Sequence, residues 1–405
     1  MSYRASNQWD GFGDQGPKPN SPDQQVLNVL RIANFQYLQG VALRARQSGA
    51  ESYSPDVCCT IDPERFTYGS HHVVIEVAFS DQVYWLARIR HSPIDDAQSE
   101  AHATDMLSEI ATMKTLKSQT TVPVPCVFAF STSSQNEFGF PYTLMEALPG
   151  KTLGGVLAKN IPPQFRPKVA SQFAEILFQL ENLSFDTLGR ISCGQNCDQS
   201  PEIIPVDPDA CRQPSTSLEW FYNERQRKNK LAMAQHVGDK QWISACWILK
   251  AAISHIISED RVYGPFPLCH PDLHYGNILF DEDYNITGII DWDGAQTVPL
   301  ERLAVSPEFI TFPGLSPEEN QDTIDFRELV VAHLRDLESP IRTRSGNSIF
   351  LSDILGTKAA EITHRCTYSF PHRTIYDARL VAALMYGPSI SWEQLVDAYG
   401  GMDLN

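Results

Sequence analysis

The stretch from Cys269 to Asp293, C-H-P-D-L-H-Y-G-N-I-L-F-D-E-D-Y-N-I-T-G-I-I-D-W-D, constrains this 405-residue chain more than any other. Its polar residues come in a fixed order: His270, Asp272, Asn277, and Asp291 at the end of an apolar run. Between the last two lie two short β-like runs, Ile278-Leu279-Phe280 and Ile286 to Ile290, joined by the turn-rich Asp281-Glu282-Asp283-Tyr284-Asn285. That pattern predicts a hairpin. A hairpin that starts at Asn277 and ends at Asp291 returns those two residues to one point. A carboxamide oxygen and a carboxylate meeting there are hard ligands, suited to a Mg²⁺ that substrate phosphates also hold. Asp272, in the preceding turn, is placed to accept a proton from an attacking hydroxyl. Gly276 allows a backbone bend before Asn277, and His270 can tie the loop by a hydrogen bond to backbone. Each residue alone is an ordinary turn former; four in this order around two apolar runs carry more.

H-P-D-L-H-Y-G-N followed by I-I-D-W-D resembles the catalytic and metal-binding segments of the aminoglycoside phosphotransferase family. That family is the small-molecule branch of the protein-kinase-like fold, related to choline and ethanolamine kinases. T-V-P-L-E, shortly after Asp293, is similar to members from filamentous fungi. The resemblance implies Asp272 as catalytic base, Asn277 and Asp291 as Mg²⁺ ligands, and ATP as phosphoryl donor to a small-molecule hydroxyl. It also implies an α+β, two-lobed fold: a five-stranded antiparallel N-lobe over residues 25–149 and a mostly helical C-lobe over 150–405. Residues 1–24, polar with Gly and Pro, are expected to be a disordered lead-in, neither signal nor transit peptide.

Composition narrows the class. A hydrophobic fraction of 42% and a net charge of −17 describe a globular protein with no general affinity for nucleic acid. The charge is compatible with a cationic acceptor. No run approaches the roughly 20 apolar residues of a membrane span, and the nine scattered cysteines read as reduced thiols of a cytoplasmic protein.

Along the chain, residues 26–50 have a helical rhythm. Val73, Ile75, Val77 and Phe79 alternate as a strand, and Val83 to Arg90 returns as its partner. Tyr68-Gly69-Ser70 precedes this pair as the loop that would cover nucleotide phosphates. On the returning strand Arg88 and Arg90 share one face. Kinase-like folds present a lysine to the phosphates here; the resemblance puts Arg88 at that position, with Arg90 as alternative. Asp96 to Lys117 reads as a helix with Ala103, Met106, Leu107, Ile110 and Met113 on its inner stripe. Glu109 is the expected partner of Arg88, and Glu100 the second candidate. Met145-Glu146-Ala147-Leu148-Pro149-Gly150 reads as the hinge, with Glu146 and Leu148 at the adenine edge. The basic run Arg225 to Lys230 reads as a solvated helix face, and helices are expected at 217–235, 240–258, 325–337, 351–368, 374–384 and 392–399. Arg88 in place of lysine leaves one alternative open, a nucleotide-binding pseudokinase or interaction protein without turnover.

Overall fold

The computed structural model describes residues 4–14, 16–19, 22–48, 56–92, 99–154, 157–207, 212–311, 317–342, 348–368 and 371–404. The expected helical residues at 49–50 and 96–98 lie outside that set. The chain packs as two compact units. The first holds Met1–Thr152, Ser192–Pro201 and Asn277–Gly294; the second holds Leu153–Ile191, Glu202–Gly276 and Ala295–Asn405. A single cut at 149/150 is therefore corrected. The hairpin folds with the first unit because strand Lys151–Thr152 pairs antiparallel with Ile278–Phe280, and the Ile289 N–H donates to the Pro123 carbonyl at 2.8 Å.

In the first unit, helices α1 (Pro22–Ile32) and α2 (Phe35–Ser48) precede a five-stranded sheet. Its strands are β1 (Cys59–Tyr68), β2 (His72–Phe79), β3 (Tyr84–Arg90), β4 (Val127–Ser131) and β5 (Tyr142–Glu146), in the antiparallel order β1-β2-β3-β5-β4. The period of two decides which face is dry: Trp85, Ala87 and Ile89 of β3 are buried, as are Val73, Ile75 and Val77 of β2. They form one core with Val26, Val29, Leu38 and Ala42 of the two leading helices. Each valine, leucine or isoleucine among them contributes about 1.5–3 kcal/mol on burial. The other face of β3 is thereby left to its arginines.

Strand β1 was not anticipated. Pro63 interrupts its pattern, and its pairing with β2 shifts register between Ile61 and Phe66, as a proline bulge on an edge strand does. Described residues of the lead-in pack on the sheet. Glu76 is buried in the sheet and takes Arg4 Nε at 2.7 Å, while Phe12 packs edge-on against Phe66 and Tyr68. Helix α3 (Ser99–Gln119) also departs from the one-stripe reading. Ser108 to Met113 are all buried, because the segment Ser192–Pro201 covers a second side: Lys114 Nζ donates to the Cys197 carbonyl at 2.9 Å.

The second unit is mostly helical, with helices at Arg166–Asn182, Ser217–Gln235, Lys240–Ala251, Pro317–Arg342, Lys358–Tyr368, Thr374–Tyr386 and Trp392–Tyr399. The basic run is a solvated face only in part: Arg227 and Lys230 are exposed, but Arg225 and Lys228 turn inward. Arg225 is buried, giving Nε to Asn229 Oδ1 at 2.9 Å and Nη1 to the Cys366 carbonyl at 3.3 Å, and Lys228 donates to the Thr367 carbonyl. Those carbonyls belong to the last turn of Lys358–Tyr368, where unpaired C=O groups and the helix dipole both attract cations.

Burial, reinforced by Glu338 and opposed by Arg261, pushes the Glu181 carboxyl up to about 7. Its side chain is 5% exposed and accepts from Arg261 Nη2 at 2.9 Å. A carboxyl with a raised folded pKa favours the fold below its unfolded value, and that contribution is lost as pH rises through the folded pKa. The expected result is a melting midpoint that falls between pH 4.5 and 7, equivalent to about 3 kcal/mol. Thermal denaturation of Glu181→Gln across the same range checks it; a slope equal to that of the wild type contradicts it.

Candidate active site

Arg88 occupies the middle of β3, paired across to Val74 and Thr143. Its Nη1 donates to both Glu109 oxygens, at 2.7 and 2.5 Å, and its Nη2 donates to Asp291 Oδ1 at 2.8 Å. Three segments of the first unit thus meet on one guanidinium. Its fork geometry suits two acceptors at once, which a lysine ammonium cannot reproduce. The Arg88 side chain is 15% exposed and that of Glu109 is 8%. Burial alone would lower the Arg88 pKa, but Glu109, Asp291 and Asp293 hold it above the ordinary value. Burial raises the Glu109 carboxyl against the pull of Arg88, with Asp293 and Asp291 adding to the rise. Glu100, the second candidate, lies exposed in the first turn of α3.

The hairpin forms as the sequence reads. Ile278 pairs with Ile289 and Leu279 with Gly288, and the Ile290 N–H donates to the Asn277 carbonyl at 3.0 Å. This brings the backbone of Asn277 alongside that of Ile290, one residue before Asp291. Asp291 has φ 64°, a left-handed conformation that aspartate tolerates better than most residues. The next residue explains why it is held there: Trp292 is fully buried, with Nε1 on the Ile289 carbonyl at 3.0 Å. The Asp291 side chain is 48% exposed, and Oδ2 accepts no hydrogen bond among the described residues. Asn277 is 7% exposed. A carboxamide and a carboxylate are oxygen donors of the kind Mg²⁺ takes alongside phosphate and water. No group of three His, Cys, Asp or Glu gathers for a metal among the described residues, so the pair would not hold one unaided.

Gly69 and Ser70 lie in the turn between β1 and β2. The Gly69 N–H donates to the His72 carbonyl at 2.9 Å, and the Gly69 carbonyl lies 3.0 Å from His91 Nε2. A β-carbon built on Gly69 would meet no atom of the described residues within 4 Å. At the hinge, the Glu146 side chain is a structural tie: Oε2 accepts from the Cys126 N–H at 3.0 Å and from Lys117 Nζ at 3.3 Å. Leu148 is buried against the hairpin, where a β-carbon on Gly288 would come within 2.9 Å of its Cδ1. Gly150 at φ 114° is required, since a β-carbon there would collide with Thr287 Oγ1 at 2.4 Å.

Asp272 belongs to the second unit. Its N–H donates to His270 Nδ1 at 3.1 Å, its carbonyl accepts from the His274 N–H at 3.0 Å, and its side chain is 59% exposed. Several partners of this turn were missed from the sequence. His274 Nε2 lies 3.5 Å from Asp272 Oδ2, and its Nδ1 accepts the Gly276 N–H at 2.9 Å. Gly276 is therefore small because the His274 ring sits 2.6 Å from where its β-carbon would be. Ser306 Oγ donates to the carbonyl of the fully buried His270. Arg302 Nη1 donates to the Tyr368 hydroxyl at 2.8 Å, and that hydroxyl faces the Pro271 carbonyl at 3.4 Å. Only His274 stood inside the motif; Arg302 and Tyr368 come from later helices and Ser306 from the loop after Leu300–Leu303, all 30 or more residues on.

The model of the phosphotransferase enzyme family matches residues 80–303. A subtelomeric hrmA-associated cluster protein of Aspergillus fumigatus is 32% identical over 127 residues, 31% of this chain and 24% of that protein. The chain thus spans about a quarter of the length of the curated relatives it matches. A Ralstonia eutropha structure assigned as an aminoglycoside phosphotransferase superposes with TM-score 0.52 at 13% identity, over 90% of this chain and 94% of that one. An ethanolamine kinase of Plasmodium vivax aligns at TM-score 0.46 and 14% identity, over 94% and 93%. The Ralstonia likeness shows the fold, α+β with an antiparallel five-stranded sheet and a mostly helical remainder.

Proposed function

We propose, from the premise that the chain belongs to the phosphotransferase enzyme family, that it transfers the γ-phosphate of ATP to a hydroxyl of a small molecule. The observation that carries this reading is the Arg88 guanidinium held between Glu109 and Asp291. A cation so fixed offers its remaining edge to phosphate oxygens without having to reorganise. Gly69 and Ser70 cover the phosphates, and the peptides of Ala147 and Leu148, which make no backbone hydrogen bond among the described residues, read the adenine edge. Asn277 and Asp291 hold Mg²⁺, which supplies charge neutralisation on the phosphate oxygens when bound.

Asp272 accepts the proton of the acceptor hydroxyl as its oxygen bonds to the γ-phosphorus. The bond from that phosphorus to the bridging oxygen breaks, and ADP leaves with the electron pair. His270 and His274 keep the carboxylate in place through the contacts described above. Both partners of Arg88 are acidic, so the arginine is a working substitute for the family's lysine. That counts against the pseudokinase alternative. The acidic chain suits a cationic acceptor.

Thermal shift with ATP in the presence and absence of Mg²⁺ tests nucleotide use. Stabilisation that rises with ATP and depends on Mg²⁺ is the expected result. No shift at saturating nucleotide would overturn the proposal.

A further inference from the structure

A second arginine stands beside Arg88 and is not spoken for. Arg90 lies two residues further along β3 on the same face, about 6.8 Å away at strand rise. Its Nε is buried without a hydrogen-bond partner, and its side chain has none among the described residues. It lines a cavity of about 320 Å³ in the first unit with Arg88, His72, His102, Asp105 and Asp293. A buried guanidinium nitrogen left without an acceptor costs free energy, which an arriving oxyanion offsets.

The loop fixes which arginine meets which phosphate. His72 pairs with Arg90 in the β2–β3 ladder, whereas Arg88 pairs with Val74, deeper in the sheet. The His91 N–H donates to the His71 carbonyl at 3.0 Å, and the His91 ring and Ser92 hydroxyl reach the carbonyls of Gly69 and Ser70. The turn that carries Gly69 and Ser70 is thus stapled to the end of β3 where Arg90 stands. Arg88 is occupied by two carboxylates, and Arg90 by none among the described residues. Asp105 and Asp293 add negative charge to the lining, so a bare anion is disfavoured there, while a phosphate sharing a metal ion is not. Burial, with Arg90 nearby, holds His72 and His102 below the usual histidine pKa, so at neutral pH each is a neutral ring that can donate one hydrogen bond.

Resting on the phosphotransfer reading, we infer that Arg90 is the residue that binds the terminal phosphate of the nucleotide, and so discriminates the triphosphate from the diphosphate. Arg88 serves the phosphates that both share.

Calorimetric titration of Mg-ATP and Mg-ADP into wild type, Arg90→Gln and Arg90→Lys tests this. Arg90→Gln is expected to weaken Mg-ATP by about tenfold to a hundredfold, the worth of one charge-assisted contact, and to leave Mg-ADP unchanged. Arg90→Lys should recover part of the loss. Unchanged ADP affinity also shows that the variant is folded. An equal loss for both nucleotides, or none for either, overturns the inference while the phosphotransfer reading stands. A wild type that binds neither nucleotide overturns both.

Discussion

Asparagine in place of Asp272 is expected to lower turnover by about 10²–10⁴-fold, the range of a lost general base, while Mg-ATP binding stays as in the wild type. The substitution keeps the size of the side chain and removes only its capacity to take a proton. The backbone of the turn is untouched, since its hydrogen bonds run from the Asp272 N–H to His270 and from the His274 N–H to the Asp272 carbonyl. Single-turnover kinetics with titration of Mg-ATP separates the two quantities. If turnover persists, Asp272 is not the base. If ATP binding falls with turnover, the residue supports the nucleotide site instead.

Alanine in place of Asp291 is expected to remove the whole Mg²⁺-dependent part of ATP affinity, and turnover with it. The fold should survive. Asp291 is half exposed and its ion pair with Arg88 is worth about 0–1 kcal/mol to stability, while Glu109 still pairs the buried guanidinium. Titration of ATP with and without Mg²⁺, alongside a melting curve, tells a lost ligand from a lost structure. A variant that binds Mg-ATP as tightly as the wild type would leave the metal to other groups, with Asp293 first among them. Asn277→Ala should follow the same direction with a smaller effect, because a neutral carboxamide contributes less to Mg²⁺ than a carboxylate.

Much of this was legible from local pattern. The period of two assigned Arg88 to the face opposite Trp85 and Ile89, and the hairpin spacing from Asn277 to Asp291 was enough to bring their backbones together. Helix periodicity located most of the second unit. What escaped depended on partners far along the chain. The stripe reading of α3 failed because nothing local announces that Ser192–Pro201 will cover a second side of it. Arg225 and Lys228 look like surface charges until the last-turn carbonyls of Lys358–Tyr368 arrive to accept from them. Ser306 and the Arg302–Tyr368 pair, which support the turn that carries Asp272, are likewise invisible to spacing. Edge strand β1 was lost to Pro63, which breaks the alternation that would have marked it.

The central claim is phosphoryl transfer to a small molecule, and an acceptor screen read by mass spectrometry tests it most directly. Wild type and Asp272→Asn would be incubated side by side with Mg-ATP and a library of hydroxylated small molecules, cationic ones included. At least one compound is expected to gain a single phosphoryl group with the wild type, with one ADP formed per product and little of either with the variant. Mg-ATP bound by both proteins, with no phosphorylated compound from either, would contradict the central claim.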